Sequence, residues 1–172
     1  HRNFIEQLGD YCDKYNPDAV LIAGDVYDRS VPSADAMTLL DELLNKLSGR
    51  RVFIISGNHD NAKRLSFGKD FLKKHDIYIS TVPQTGENEK IEKVTFADEY
   101  GNVNIYMLPF LKPALFKNSM PEEAAAGEDA IIKKLVENTD IDKNERNIIL
   151  AHQFFVSGHK EPELCESEQT PA

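Results

Sequence analysis

Three short apolar stretches of the sequence each end in polar side chains that suit metal chemistry. The stretches cover residues 19–23, 51–55 and 147–151. The polar side chains that follow them are Asp25, Asp28, Asn58, His59, Asp60 and His152. Carboxylate, amide oxygen and imidazole together favour manganese, iron or zinc over magnesium alone. The residue types therefore indicate a site for a divalent metal.

A centre with two metal ions needs a carboxylate that bridges them, and Asp25 is the candidate. Two ions about 3.5–4 Å apart would clamp an in-line displacement at phosphorus and activate a water. Gly24 and Gly57 precede the candidate ligands and allow tight turns there. Taken alone, the Asp25 segment also fits a turn with a capping carboxylate, and His152 also fits a structural histidine. The combination at these spacings favours the metal site.

Alternating strands and helices must position these residues. Apolar spacing predicts helices over 4–15, 34–47, 62–75 and 121–138, with Ser33 capping the second. Apolar runs predict strands over 19–23, 51–55, 77–79, 91–97, 103–108 and 147–151. The first half is typical of βαβ units on a parallel sheet, and residues 91–108 predict a hairpin that adds antiparallel strands to that sheet. Because binding sites form beyond the carboxyl ends of such strands, we expect the polar residues to converge.

The composition predicts a folded globular protein. The chain has 172 residues, of which 41% are hydrophobic, and no apolar run approaches a membrane span. Its two cysteines form no CxxC motif, which predicts a reducing, cytoplasmic setting. The net charge of −9 argues against a nucleic-acid coat. Residues 61–120 are the exception, since only there do Lys and Arg outnumber Asp and Glu.

The segments 24–28 and 57–60 read Gly-Asp-Val-Tyr-Asp and Gly-Asn-His-Asp. This pair resembles the GDxxD…GNH[DE] signature of calcineurin-like metallophosphoesterases. The flanking segments 17–28, 108–110 and 151–158 are similar to one branch, the bacterial SbcD-type nuclease subunits, which are counterparts of the Mre-type repair nucleases. The resemblance implies an α/β fold, a mixed β-sheet sandwich flanked by helices.

The resemblance also implies a dinuclear metal centre, with manganese as the first choice. Asp25 would bridge the two ions, and Asn58 and His152 would bind the second ion. His59 would be the catalytic imidazole over the scissile phosphate, with Asp60 as the carboxylate that orients it. Asp28 would support the turn.

The implied activity is hydrolysis of phosphodiester bonds in double-stranded or hairpin DNA during repair and recombination. Arg64 and Lys63 begin the basic segment directly after the Asn58 motif, and they are the candidates for phosphate contacts. The family implies a homodimer and an SbcC-type ATPase partner, with no membrane. Four apolar residues could form a dimer patch or could instead face the sheet: Met37, Leu40, Phe71 and Leu72.

The sequence departs from the family at both ends. No Asp-x-His motif precedes Asp25, and no Gly-His-x-His motif follows His152. His159 lies in a superficially similar segment, which we interpret as a loop. We therefore expect residues 1–172 to be the central part of a nuclease domain, without its N-terminal strand and closing strands, and to show little activity alone. Two alternatives stay open: another phosphodiesterase or phosphatase of the superfamily, and a degenerate scaffold that binds a partner.

Overall fold

A computed structural model describes residues 1–82 and 89–155 of the chain. Six α-helices lie in these ranges: α1 (Arg2–Tyr15), α2 (Ala34–Lys46), α3 (Ala62–Leu65), α4 (Lys69–Leu72), α5 (Pro121–Ala126) and α6 (Glu128–Asn138). Two 3-10 helices cover Lys73–His75 and Pro113–Phe116. The strands are β1 (Ala19–Ala23), β2 (Arg51–Ile55), β3 (Ile77–Ser80), β4 (Glu92–Asp98), β5 (Gly101–Leu108) and β6 (Arg146–Ala151).

The strands form two three-stranded sheets. The first sheet has the order β1-β2-β3 and is parallel throughout. The second has the order β4-β5-β6, with β4 antiparallel and β6 parallel to β5. The predicted hairpin of β4 and β5 is confirmed, but its placement on the first sheet is wrong, because β5 pairs with β6 instead. The mixed α/β fold class is confirmed.

Three apolar clusters arrange the described residues in four layers. Helices α1 and α2 cover the outer face of the first sheet, and α6 covers the outer face of the second. Between the sheets, Phe53 and Ile55 of β2 pack with Ile105 and Met107 of β5 and with Leu150 of β6. Strand β2 is therefore buried on both faces, which explains why its sequence is apolar without alternation.

Two predicted helices are interrupted at glycines. The helix predicted over 62–75 is divided at Gly68, which has a φ of +74°. The helix predicted over 121–138 ends and restarts at Gly127, with a φ of +112°. Both angles lie in the region that L side chains avoid and glycine tolerates. The cap on α2 is confirmed, since Oγ of Ser33 accepts a hydrogen bond from the backbone N–H of Ala36 at 3.2 Å.

The carboxyl ends of strands from both sheets meet at one edge of the molecule. The backbone N–H of Phe110, after β5, donates to the carbonyl oxygen of Ser56, after β2, at 2.9 Å. This bond brings the loop after β5 beside the loop after β2. His159 lies outside the described residues.

Candidate metal centre

The chain leaves β1 through two residues in the left-handed backbone region. Gly24 has a φ of +90° and Asp25 a φ of +48°. Space also restricts position 24, because a Cβ atom there would lie 2.3 Å from Nδ1 of His152. The glycine thus lets the backbone approach this imidazole, and the turn presents the Asp25 carboxylate at the sheet edge.

The loop after β2 lies against the loop after β1. A Cβ atom on Gly57 would lie 2.0 Å from Oδ1 of Asp25. The same oxygen accepts a hydrogen bond from the backbone N–H of His59 at 3.1 Å. This contact between the loops places Asn58 and His59 beside Asp25.

His152 follows β6 and is oriented by the main chain of β1. Its Nδ1 lies 2.7 Å from the carbonyl oxygen of Ala23. A carbonyl oxygen can only accept, so Nδ1 carries a proton and, in the neutral ring, Nε2 keeps its lone pair. Nε2 lies 3.1 Å from Oδ1 of Asn58 and 3.5 Å from Oδ2 of Asp25. The Phe110 ring packs edge-on against the imidazole, with 6.2 Å between ring centres.

The donor set formed by Asp25, Asn58 and His152 fits a divalent cation. With a neutral imidazole, the three atoms present lone pairs to one another, an arrangement that a bound cation would satisfy. Ligand atoms about 2.1 Å from one ion lie about 3.0 Å apart in octahedral and about 3.4 Å apart in tetrahedral geometry. The separations of 3.1 and 3.5 Å are close to these values. In residues 1–82 and 89–155 no group of three His, Cys, Asp or Glu side chains is placed to hold a metal ion. The set described here differs from such a group, because its third atom is an amide oxygen.

The imidazole of His59 is held by a backbone carbonyl rather than by a carboxylate. Its Nδ1 lies 3.0 Å from the carbonyl oxygen of Asp28 and donates to it. The Asp28 carboxylate points elsewhere, to an exposed contact of 3.4 Å with Arg29. The contact that Asp28 makes with His59 is therefore through its main chain, and support of the turn by its side chain stays a prediction.

The predicted contact between Asp60 and His59 is wrong. The Asp60 side chain is buried and accepts hydrogen bonds from the backbone N–H groups of Val26, Tyr27 and Gly57. Its position is fixed by these amides because a buried carboxylate needs donors. Burial raises the pKa of the neighbouring Tyr27 phenol, and the negative charge of Asp60 raises it further.

The predicted phosphate-binding residues lie on the short helix α3, close in sequence to His59. Oδ1 of Asn61 accepts from the backbone N–H of Arg64 at 3.1 Å and starts this helix. Lys63 and Arg64 lie at the rim of an apolar groove of about 670 Å³ between α2 and α4. In the described part of the chain, neither residue forms an ion pair.

Sequence reasoning missed the groups that orient the two imidazoles. These are the carbonyl oxygens of Ala23 and Asp28 and the ring of Phe110. Every residue type has a carbonyl oxygen, so no sequence signal marks the first two. Phe110 does carry a signal, because it ends a Leu-Pro-Phe segment directly after a strand.

Comparisons with known proteins agree with the fold class and identify a family. The family profile for calcineurin-like phosphoesterases matches residues 1–169. The SbcD subunit of the nuclease SbcCD from Staphylococcus epidermidis is 29% identical over 159 residues, which are 90% of this chain and 40% of that relative. The chain thus spans less than half the length of this relative. No helix within the described residues is long and apolar enough to cross a membrane. With nearly its whole length matched, the chain belongs to the calcineurin-like phosphoesterase family.

Proposed function

We propose that this chain carries the catalytic centre of a metal-dependent nuclease that hydrolyses phosphodiester bonds in DNA. The observation that carries the proposal is the convergence of Nε2 of His152 with Oδ1 of Asn58 and Oδ2 of Asp25. The backbone N–H of His59 donates to Oδ1 of the same Asp25 carboxylate. Membership of the phosphoesterase family supports hydrolysis at phosphorus. The similarity to a bacterial SbcD protein supports DNA as the substrate.

Asp25, Asn58 and His152 are the residues that would hold metal. Asp25 is suited to bridging two ions, because its two carboxylate oxygens face the two other loops of the site. When bound, two divalent ions, with manganese as our first choice, would polarise the phosphoryl oxygens and lower the pKa of a water. The hydrogen bond from Nδ1 of His152 to the Ala23 carbonyl fixes which ring nitrogen faces the site.

His59 is the residue that would handle a proton at the scissile phosphate. Its Nδ1 is occupied by the Asp28 carbonyl, so Nε2 alone is available to the substrate. A positioned imidazole can stabilise the developing charge or give a proton to the leaving oxygen. Such groups contribute about 10²–10⁴-fold to rate.

Lys63 and Arg64 would contact the DNA backbone. They lie on α3, four and five residues after His59, and neither is engaged with an acid in the described residues. A guanidinium can bind a phosphate through two parallel hydrogen bonds, which makes Arg64 the stronger candidate. Duplex DNA could therefore reach the metal centre along this side of the molecule.

The groove between α2 and α4 supports a homodimer as part of the proposal. Met37 and Phe71 are 54% and 64% exposed, whereas Leu40 and Leu72 pack against the core of the first sheet. Only half of the predicted patch is therefore free to meet a second copy. The SbcC-type ATPase partner also remains a proposal, supported by the name of the SbcCD relative.

Cleavage assays on the full-length protein test the nuclease and separate the alternatives. With Mn²⁺, we expect cleavage of duplex and hairpin DNA, and loss of about 10²–10⁴-fold in His59→Ala. His75→Ala is the matched control, because the His75 ring packs on Phe71 of α4, and its activity on bis-p-nitrophenyl phosphate should equal that of wild type. Hydrolysis of the small phosphodiester without DNA cleavage would favour another phosphodiesterase. Inactivity on every substrate would favour a binding scaffold.

A further inference from the structure

Asp60 connects the two loops that carry Asp25, Asn58 and His59. Its Oδ2 accepts from the backbone N–H of Val26 at 3.1 Å and of Gly57 at 2.8 Å. Its Oδ1 accepts from the backbone N–H of Tyr27 at 2.9 Å. The side chain is only 7% exposed, so these three amides replace its hydration. One carboxylate thus joins the loop after β1 to the loop after β2.

The loop after β1 needs such an anion to keep its shape. Asp25 has a left-handed φ of +48°, a backbone conformation that residues other than glycine adopt at a cost in free energy. Successive backbone N–H groups beside a left-handed residue form a concave surface that binds anions. In this chain the bound anion is Asp60, through the N–H groups of Val26 and Tyr27.

The same carboxylate controls the distance between the proposed ligands. Oδ1 of Asp25 occupies the space that a Cβ of Gly57 would fill, and it accepts from the N–H of His59. The loops can stay this close only while Gly57 is held, and its N–H is bonded to Asp60. Small displacements matter because metal ligands require positions accurate to a few tenths of an ångström.

We propose that Asp60 is a positioning residue that fixes Asp25 relative to Asn58 and His59 through backbone amides, and that it does not act as the partner of His59. This inference rests on the proposed metal centre. It predicts that protection of the Gly57 amide and affinity for Mn²⁺ change together.

Conservative variants of the full-length protein test this link. Asp60→Asn replaces an accepting oxygen by an NH₂ group that faces backbone donors, so we expect faster amide exchange at Val26, Tyr27 and Gly57 and at least about tenfold weaker Mn²⁺ binding. Asp60→Glu keeps the charge and both acceptors and should restore Mn²⁺ affinity to within about threefold of wild type. Hydrogen exchange resolved by residue and calorimetric titration with Mn²⁺ are the two measurements.

Glu145→Gln is the matched control. The Glu145 carboxylate also accepts two amide hydrogen bonds, but from the side chains of Asn102 and Asn104 in the second sheet. We expect this variant to lower the melting temperature without changing Gly57 exchange or Mn²⁺ affinity. If Asp60 had only a structural role, Asp60→Asn would lower the melting temperature and speed Gly57 exchange without changing Mn²⁺ affinity.

Each outcome decides the proposal. Changes at Gly57 and in Mn²⁺ affinity that occur together in Asp60→Asn support it. Should that variant not fold, Asp60→Glu tests it instead, and Gly57 exchange and Mn²⁺ affinity that are either both kept or both altered support it. A change in one without the other overturns it. If the wild-type protein binds no Mn²⁺, the proposed function fails on its own account. Amide exchange in Asp60→Asn then still tests the link between the loops, and unchanged exchange overturns it.

Discussion

Two polar clusters at opposite ends of the strands are built on different principles. The site cluster is Asp25, Asn58 and His152, at the carboxyl ends of β1, β2 and β6. The support cluster is Thr95, Asn104, Glu145 and Asn147, near the amino ends of β5 and β6. In the site cluster, the facing atoms at 3.1 and 3.5 Å are acceptors when His152 is neutral. In the support cluster, each hydrogen bond that Asn104 makes with Thr95, Glu145 or Asn147 joins a donor to an acceptor.

Asn104 shows the difference most directly. It is 1% exposed, its Nδ2 donates to Glu145 at 2.8 Å and to Asn147 at 3.0 Å, and its Oδ1 accepts from Thr95. The support cluster therefore contributes to stability without a ligand, because buried polar groups with full partners are tolerated. In the site cluster, a bound cation would be needed to satisfy the facing acceptors. The balance of donors and acceptors, more than the number of polar residues, distinguishes the two.

Gly57→Ala should give the largest effect. The new Cβ would lie 2.0 Å from Oδ1 and 2.4 Å from the backbone N of Asp25, and this backbone cannot move without disrupting the site cluster. We expect at least about 100-fold loss of DNA cleavage and of Mn²⁺ affinity. Overpacking should also lower the free energy of unfolding by about 1–3 kcal/mol.

Gly9→Ala is the matched control for this crowding. Its Cβ would also meet an atom at 2.0 Å, but that atom is Cε at the flexible end of Lys46. Alanine also gains helix propensity in α1, so unfolding should stay within about 1 kcal/mol of wild type. Equal loss of metal affinity in both variants would show that close packing alone explains the effect of Gly57→Ala.

Replacing one asparagine of each cluster with alanine should lower metal affinity in one variant and stability in the other. We expect Asn58→Ala to weaken Mn²⁺ binding at least about tenfold with little change in metal-free stability, since it removes an acceptor that faces another acceptor. Asn104→Ala leaves Glu145 and Thr95 with fewer partners and should cost about 1–3 kcal/mol of stability at unchanged Mn²⁺ affinity. Titration calorimetry and urea unfolding check both. Similar profiles for the two variants would contradict the distinction between the clusters.

Metal addition should stabilise only through the site cluster. At a free Mn²⁺ concentration 100 times its Kd, binding to the native state contributes about 2.7 kcal/mol. We expect EDTA to remove this stabilisation from the wild-type protein. Asn58→Ala should be stabilised little by Mn²⁺ at the same concentration. Asn104→Ala should be stabilised by the full amount, although its stability without metal is lower. Thermal unfolding with and without EDTA measures the shift. An equal shift in both variants would place the metal elsewhere.

Residue types and strand ends could be predicted from the sequence, because apolar runs and the polar residues after them are local features. The breaks at Gly68 and Gly127 could not, since helical spacing continues through a glycine whatever its φ. Nor could the division into two sheets. Strands β2 and β5 are apolar runs of the same kind, and pairing partners are not visible in either run.

At the site, the sequence predicted that Asp25, Asn58 and His152 would meet, but it assigned one contact incorrectly. A carboxylate next to a histidine in sequence suggested that Asp60 orients His59. In the structure, three backbone N–H groups donate to that carboxylate instead, because a buried carboxylate requires hydrogen-bond donors. The positions of amides and carbonyls follow from the path of the chain, so residue types cannot reveal them.

Acid should weaken the support cluster and its neighbour, the Asp98–Arg146 pair, and this is the smallest effect that we predict. Hydrogen bonds from Arg146 lower the pKa of Asp98 below its ordinary 3.8, and those from Asn104 and Asn102 lower the pKa of Glu145 below its ordinary 4.5. A carboxylate with a lowered folded-state pKa stabilises the protein above its unfolded pKa, and this contribution is lost as pH falls through the folded value. The melting temperature in EDTA should therefore begin to fall near pH 4.5 and continue to fall below pH 3.8.

The double variant Asp98→Asn, Glu145→Gln should melt at a lower temperature than wild type at neutral pH. Its melting temperature should also fall less steeply in acid, because neither replacement titrates. Parallel declines in the two proteins would show that other carboxylates control acid stability, and that the support cluster does not depend on charge.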